Sequence, residues 1–217
     1  MKQILTVCAA LALATTAVLA QQQPHASDPD HMMSGTGNLP AGWQVRLDNG
    51  STKPDGVSMM PMGQGLHFKT GPAGIYYRTA DTKQGNYTAT ATFSQMEPSA
   101  HPEAYGLFLG GADLAGAGQK YTYFLVRQDG KFMIRRRNGT QVPVVVEWKD
   151  HASVKKTDAT TKGTNTLAVT VASGTVHFLV NGTEVHSAPA SAVDAAGIVG
   201  LRINHNLNVH VDGFGVK

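Results

Sequence analysis

The chain has 217 residues, of which 41% are hydrophobic and 15% are charged, with 24 glycines, one cysteine and a formal net charge of +3. This composition is typical of a globular domain, and it excludes a disordered, collagen-like or disulfide-stapled chain. The small net charge lacks the basic excess of nucleic-acid-binding proteins, so we expect no nucleic-acid partner.

Residues 1–20 have the layout of a secretory signal peptide. Lys2 precedes a largely apolar run, and small residues lead to an exit at Ala20. The run is too short and wrongly flanked for a permanent membrane helix. We therefore expect a secreted or periplasmic protein that begins near Gln21 and has no membrane span. Because Cys8 lies in the leader, the mature chain should have no disulfide and no thiol chemistry.

Residues 21–38 read QQQPHASDPDHMMSGTGN and show no apolar period of 2 or 3.6. This pattern predicts a flexible tail. The tail holds His25, Asp28, Asp30 and His31, which could take up a transition metal. No spacing enforces a ligand geometry there, and binding would have to order a flexible segment, so the plain tail is favoured.

Residues 39–217 are predicted to form one β domain. The stretch from residue 164 to residue 189 has short β-branched runs separated by Ser173-Gly174 and Asn181-Gly182, which predicts a three-stranded meander. A second hairpin should join residues 120–128 to residues 131–139. Further strands are predicted at residues 43–47, 65–69, 73–79, 87–95, 105–110, 142–148, 198–204 and 208–216. Only a turn or two near residues 191–196 has helical character, so the fold should be an antiparallel sandwich or barrel.

Alternation along two of these strands predicts which side chains share a face. One face of residues 121–127 should carry Tyr121, Tyr123, Leu125 and Arg127, and the other Thr122, Phe124 and Val126. In the next strand, Arg135 and Arg137 should lie on one face and Arg136 on the other.

Four segments resemble the concanavalin A-like lectin/glucanase superfamily. They are YGLFLGG (105–111), KYTYFLVRQDGKFMIRRRNG (120–139), TNTLAVTVASGTVHFLVNGTEV (164–185) and GIVGLRINHNLNVHVDGFGVK (197–217). The sequence is similar in style to laminin-G-like (LamG-like) jelly rolls and to secreted bacterial 3-keto-disaccharide hydrolase-type domains. The resemblance covers residues 43–217 and implies an antiparallel jelly-roll β-sandwich. It says little about activity, because this fold carries lectins, glycanases, lyases and inert spacers.

Motifs for catalysis are sparse. After the leader the chain has four glutamates, and it lacks the E-x-D-x-x-E strand of family-16 glucanases, the Q-x-H strand of alginate-lyase-type jelly rolls and the G-x-S-x-G elbow of hydrolases. The sequence therefore favours a noncatalytic protein and assigns no catalytic residue. If an acid/base site exists, its candidates are His101, Glu103, Asp113, His177 and His205.

Residues suited to binding sugars are more plentiful. Aromatic rings stack on sugar C–H faces, and guanidinium groups fix hydroxyl or carboxylate oxygens. The candidate ligand-binding residues are Tyr76, Arg78, Tyr105, Tyr123, Arg127, Arg135, Arg137 and Arg202, with Tyr121 beside them. If the strands order as in the family, several would share one concave sheet. The Arg135–Arg137 run is equally compatible with a charged strand that resists edge-to-edge pairing.

Calcium is the one cofactor that the resemblance suggests. Asp212 stands in the V-D-x-F segment, which in relatives can contribute to a structural calcium site, and Asp48 is a second choice. One carboxylate cannot by itself supply the six to eight oxygens that calcium prefers.

These patterns together predict a secreted noncatalytic glycan-binding or surface-associated module with a carbohydrate partner. One alternative is a glycoside hydrolase or lyase that acts on a modified disaccharide. A second alternative is a structural or protein-interaction domain. A hydrolase or lyase would need a histidine and a carboxylate within hydrogen-bond reach of each other on the aromatic and arginine-bearing sheet.

Overall fold

The computed structural model describes residues 35–217 as two packed antiparallel sheets of seven strands each. The predicted signal peptide, residues 1–20, and the tail residues His25, Asp28, Asp30 and His31 lie outside the described residues. The first described residues already contact the sandwich, since Gly37 donates a hydrogen bond to the carbonyl of Val57.

Sheet I holds the strands that position the candidate site. Its order from edge to edge is β1 (Gln44–Leu47), β4 (Gly74–Lys83), β13 (Gly197–Ile203), β6 (Ala104–Ala112), β7 (Lys120–Arg127), β8 (Lys131–Asn138) and β9 (Val144–Asp150).

Sheet II packs against it. Its order is β12 (Thr183–Pro189), β11 (Thr175–Val180), β10 (Thr164–Ala172), β5 (Tyr87–Gln95), β14 (Leu207–Val216), β3 (Gly65–Thr70) and β2 (Val57–Met62). Within residues 35–217 the helical structure is a three-residue 3-10 turn, Ala190–Ala192.

The predicted meander is confirmed as β10, β11 and β12. Its two turns need positive φ, and the structure has this at Ser173, Gly174, Asn181 and Gly182. Two-residue turns of this kind match the twist of the flanking strands. The β7–β8 hairpin is also confirmed, with Arg127 opposite Lys131 at its closing end.

The strand β2 was not predicted. It contains Pro61 within VSMMPM and lies at the edge of sheet II. An edge strand tolerates proline because one side of it forms no ladder hydrogen bonds.

The main core lies between the sheets. In β5, buried and partly buried residues alternate along all nine positions, as a strand with one covered face requires. Aromatic pairs join the two sheets: the rings of Phe93 and Tyr105 stack at 5.2 Å, and those of Phe124 and Phe178 meet edge-on at 5.3 Å.

The outer faces of the two sheets differ in chemistry. Sheet II presents hydroxyls between β5 and β10, with hydrogen bonds of 2.8 Å between Thr92 and Thr166 and 3.0 Å between Ser94 and Thr164. Sheet I instead carries a second apolar cluster on its outer face. No helix in residues 35–217 has the length and apolar character needed to cross a membrane.

Candidate functional site

The outer face of sheet I brings together most of the arginines and tyrosines that the sequence singled out, and we call it the arginine–tyrosine face. Alternation along β7 follows the prediction, since Phe124 and Val126 lie in the core between the sheets while Tyr121 and Tyr123 lie in the second apolar cluster. The β7–β8 register sets Arg137 opposite Tyr121 and Arg135 opposite Tyr123. Directly opposed residues share a face, so all four side chains project from the same side.

Three more strands contribute to this face. Arg202 of β13 lies opposite Ile75 of β4, which in turn lies opposite Arg46 of β1. Ile75 belongs to the second apolar cluster, so both arginines flank that cluster. The predicted residues Tyr121, Tyr123, Arg127, Arg135, Arg137 and Arg202 therefore share one face, and the structure adds Arg46 and Trp148.

The floor of the face is a layer of packed rings. The ring centroids of Phe108 and Tyr121 are 5.4 Å apart, and those of Tyr121 and Tyr123 are 5.7 Å apart. Gly200 makes room for this packing, because a Cβ there would stand 2.5 Å from the ring of Phe108. The floor is thus preorganised by apolar contact.

Arg202 is held in this floor by a two-pronged ion pair with Asp48. Its two terminal nitrogens lie 2.5 and 2.6 Å from the two carboxylate oxygens, and Nε donates to Asn204 at 3.3 Å. The Arg202 side chain is only 10% exposed, whereas that of Asp48 is 45% exposed. Burial opposes ionisation of Asp48, but Arg202 outweighs it and holds the pKa of Asp48 below its usual range. Burial likewise disfavours the charged guanidinium, but Asp48 keeps the pKa of Arg202 above its usual range.

Three guanidinium Nε atoms on this face have no hydrogen-bond partner within residues 35–217. The Nε atoms of Arg46, Arg135 and Arg137 are buried and form no hydrogen bond among the described residues. Burial raises the pKa of Tyr121, and the Asp48 carboxylate adds to this effect against the charges of Arg202, Arg137 and Arg46. Arg202 is paired with Asp48, so Arg46 and Arg137 supply the excess positive charge near this buried phenol, an arrangement that suits a ligand with anionic or strongly polar oxygens.

The outer part of the face is an aromatic and charged rim. The guanidinium of Arg127 lies 4.4 Å above the ring centroid of Trp148, and its Nε donates to Asp129 at 2.7 Å. Arg135 forms an ion pair of 3.3 Å with Glu147, whose side chain is 66% exposed.

A histidine and a carboxylate meet at one end of this face. Glu103 precedes β6 and His205 follows β13. Oε1 of Glu103 lies 3.1 Å from Nε2 of His205. Glu103 is buried, and its other oxygen accepts a 3.4 Å hydrogen bond from Asn204. Because Asn204 also accepts from Arg202, the pair is connected to Asp48 through side chains.

Three of the predicted site residues, Tyr76, Tyr105 and Arg78, do not lie on the arginine–tyrosine face. Tyr76 and Tyr105 point between the sheets and are 0% exposed. Burial raises the pKa of Tyr105 to about 12, despite the hydrogen bond with Asn165. Arg78 is two residues after Tyr76 on β4 and so lies on the same side of the strand. Its guanidinium lies over the rings of Trp43 and Phe214.

The other histidine and acid candidates lie elsewhere. His177 pairs with Glu184 at 2.8 Å on sheet II. Asp113 accepts a backbone hydrogen bond from Gly118 in the loop after β6. His101 is exposed, and its backbone carbonyl accepts a hydrogen bond from the hydroxyl of Ser99. The structure therefore brings together only Glu103 and His205 of the five acid/base candidates.

Asp212, the predicted calcium ligand, lies on sheet II with Oδ1 3.1 Å from Nε2 of His210. Residues 35–217 contain no group of three or more His, Cys, Asp or Glu side chains placed to hold a metal ion. Calcium binding at Asp212 stays a prediction.

Comparison with known proteins identifies the fold. No protein-family model matches the sequence, and no curated protein matches it. Among solved structures, the chain is similar to the carbohydrate-binding module CBM66 from Bacillus subtilis, with 10% identity, a TM-score of 0.59 and coverage of 81% of this chain and 95% of that one. It is also similar to a protein of unknown function with a galectin-like fold from Bacillus subtilis (13% identity, TM-score 0.55, 80% and 88% covered).

A third similar structure is alginate lyase A1-II', a member of polysaccharide lyase family 7, with 10% identity, a TM-score of 0.55 and coverage of 81% and 94%. The chain therefore has a concanavalin A-like jelly-roll fold, which confirms the resemblance seen in the sequence at the level of architecture. Identities this low establish the fold alone, and proteins of this fold include both binding modules and enzymes.

Proposed function

We propose that the protein is a noncatalytic glycan-binding module and that the arginine–tyrosine face receives the glycan. The observation that carries the proposal is that the buried Nε donors of Arg46, Arg135 and Arg137, on one sheet face, have no acceptor in the part of the chain that the structure describes. A buried donor without an acceptor costs about 1–3 kcal/mol. A ligand that supplies oxygen acceptors would recover part of that cost.

The fold and the ring layer support the same function. A carbohydrate-binding module and a lyase share this architecture. Trp148 at the rim offers an aromatic surface beside guanidinium groups, the combination that sugar sites use. The ion pair of Arg202 with Asp48 and the packed rings hold the floor in place, so little ordering is needed when a ligand arrives.

A glycan array probed with the purified protein tests the proposal, followed by calorimetric titration of each hit. The Arg135→Ala/Arg137→Ala double variant should weaken binding at least tenfold, because it removes two donors from the face. Arg136→Ala is the matched control. Arg136 is on the same strand but lies on its other side and pairs with Asp194, so its loss should leave the affinity within about twofold.

Two results would reject the proposal. If the folded protein binds no glycan, the remaining sequence alternative, a structural or protein-interaction domain, is favoured. If the double variant and Arg136→Ala bind equally well, the glycan site lies elsewhere on the molecule.

One observation favours a second candidate function, a hydrolase or lyase that acts on a modified disaccharide. Glu103 and His205 meet the sequence requirement for a histidine and a carboxylate within hydrogen-bond reach on this sheet. Such a pair can transfer a proton to or from a bound sugar. Turnover of an oligosaccharide by the wild type, and its loss in Glu103→Gln with binding retained, would establish catalysis. Binding without turnover would instead favour the noncatalytic glycan-binding module.

A further inference from the structure

Sheet II carries a row of metal-ligating side chains on its outer face, away from the arginine–tyrosine face. Met60 of β2 lies opposite His67 of β3, and His67 lies opposite His210 of β14. Their sequence neighbours Met59 and Phe68 are buried in the core, so the row projects outward. Met60 is 44% exposed, whereas His67 is only 9% exposed.

The spacing within this row suits one small ion. Directly opposed residues on neighbouring strands have Cβ atoms about 5 Å apart. The ring centroids of His67 and His210 are 6.1 Å apart, with planes tilted by 32°. Since a metal–nitrogen bond is about 2 Å long, an ion between two imidazoles holds their centroids roughly 5–6 Å apart.

Each of the two histidine rings has one buried nitrogen that makes no hydrogen bond among the described residues. Asp212 accepts from Nε2 of His210 at 3.1 Å, so the lone pair of that ring is on Nδ1. The Nδ1 atoms of His210 and His67 are both buried and have no hydrogen-bond partner among the described residues. Buried polar atoms are nearly always satisfied, so two orphans on adjacent rings need an explanation.

Gly65 leaves space for the contact between Asp212 and His210. A Cβ at Gly65 would lie 2.6 Å from Oδ1 of Asp212 and 3.0 Å from Nε2 of His210. A carboxylate that fixes the tautomer of a histidine is the usual outer support of a metal-bound imidazole. Asp212 is therefore placed to orient the ring of His210 rather than to bind a metal ion itself.

We propose that His67, His210 and Met60 form a binding site for a soft monovalent metal ion, copper(I) or silver(I). A thioether selects copper(I), and imidazole also suits copper, whereas calcium and magnesium need oxygen ligands. Zinc lacks a full set here, because no three His, Cys, Asp or Glu side chains of residues 35–217 converge. Met62 is two residues from Met60 on the same side of β2 and lies opposite Gly65.

Titration with silver(I), which is stable in air, tests this site in protein labelled with ¹³C at the methionine methyl groups. The histidines and methionines of residues 25–33 could also bind, so the experiment uses a background variant with His25, His31, Met32 and Met33 changed to alanine. We expect one equivalent of silver(I) to bind this background and to shift the methyl resonance of Met60. Competition with a chromophoric copper(I) chelator then gives the affinity for copper(I).

Substitutions identify the ligands. Met60→Leu and His67→Gln should each weaken copper(I) binding tenfold or more, and Asp212→Asn should weaken it about tenfold through loss of ring orientation. His177→Gln is the matched control on the same sheet and should change nothing. Met60 is exposed, so Met60→Leu should fold normally. No binding by the background variant, an unshifted Met60 methyl, or equal affinity in His67→Gln would each overturn the proposal.

Discussion

Removing Asp48, the partner of a buried arginine, should destabilise the protein far more than removing Asp150, whose ion pair lies at the surface. Asp48→Ala deletes both hydrogen bonds to Arg202, whose side chain is 10% exposed. Breaking a buried ion pair from one side costs about 3–5 kcal/mol, because the remaining charge is left without a partner. Asp48 itself is 45% exposed, so solvent screening places this pair at the lower end, about 3 kcal/mol.

Thermal and urea unfolding followed by circular dichroism measure this effect. For a domain of this size, about 3 kcal/mol corresponds to a fall in Tm of roughly 6–12 °C. The control is Asp150→Ala, which removes an ion pair with Lys131 in which Asp150 is 77% exposed. That variant should lose less than about 1 kcal/mol.

A double variant separates the uncompensated charge from other causes. Asp48→Ala combined with Arg202→Met removes the charge and keeps an apolar stem of similar length, so it should be more stable than Asp48→Ala alone. A loss below about 1 kcal/mol in Asp48→Ala, or a double variant less stable than the single one, would refute the reasoning.

The pH dependence of unfolding should show the same pair. Because the pKa of Asp48 is lowered in the folded state, its stabilisation is present above the unfolded value of 3.8 and is lost as the pH falls through the folded pKa, so wild type and Asp48→Asn should converge in stability in acid. Gly200→Ala should cost about 1–3 kcal/mol in urea unfolding, because the new methyl group meets the ring of Phe108 at 2.5 Å, and an unchanged midpoint would contradict this. Phe124→Ala, at 0% exposure in the core, should cost about 3–5 kcal/mol, and a loss under 1 kcal/mol would show that the site collapses.

Local sequence patterns were sufficient for most of the fold. Turn chemistry at Ser173-Gly174 and Asn181-Gly182 located the meander, because few residues adopt positive φ. Alternation assigned the faces of Tyr121 and Tyr123 because the strand around them is long and regular. The resemblance to concanavalin A-like proteins then predicted how the strands assemble.

The sequence could not tell which candidate residues of sheet I lie on its outer face. Both faces of sheet I are apolar, so hydrophobicity does not show which side of a strand points inward. Tyr76 and Tyr77 are adjacent, and one lies in the core while the other joins the outer cluster. Tyr105 lies in β6, where eight successive residues are buried, and alternation disappears.

The contacts of the candidate site could not be predicted from spacing. Glu103 and His205 are about a hundred residues apart, and they meet because β6 and β13 are neighbours in the sheet. Arg46 could have been found, since it lies between the apolar residues Val45 and Leu47 on a short strand. Arg46 lies on the same face as the other arginines because β1 is next to β4 in the sheet.

Sheet I has an apolar layer on each side. The residues that hold the candidate surface in place therefore differ from the residues that give it charge. Phe108, Tyr121 and Tyr123 are locked by contacts with one another, whereas Arg46, Arg135 and Arg137 add charge around them. In the proposed glycan site, exchanging those three cations should alter ligand preference without disturbing the layer beneath. A binding module built in this way could change its specificity by a few substitutions at the perimeter and keep its architecture.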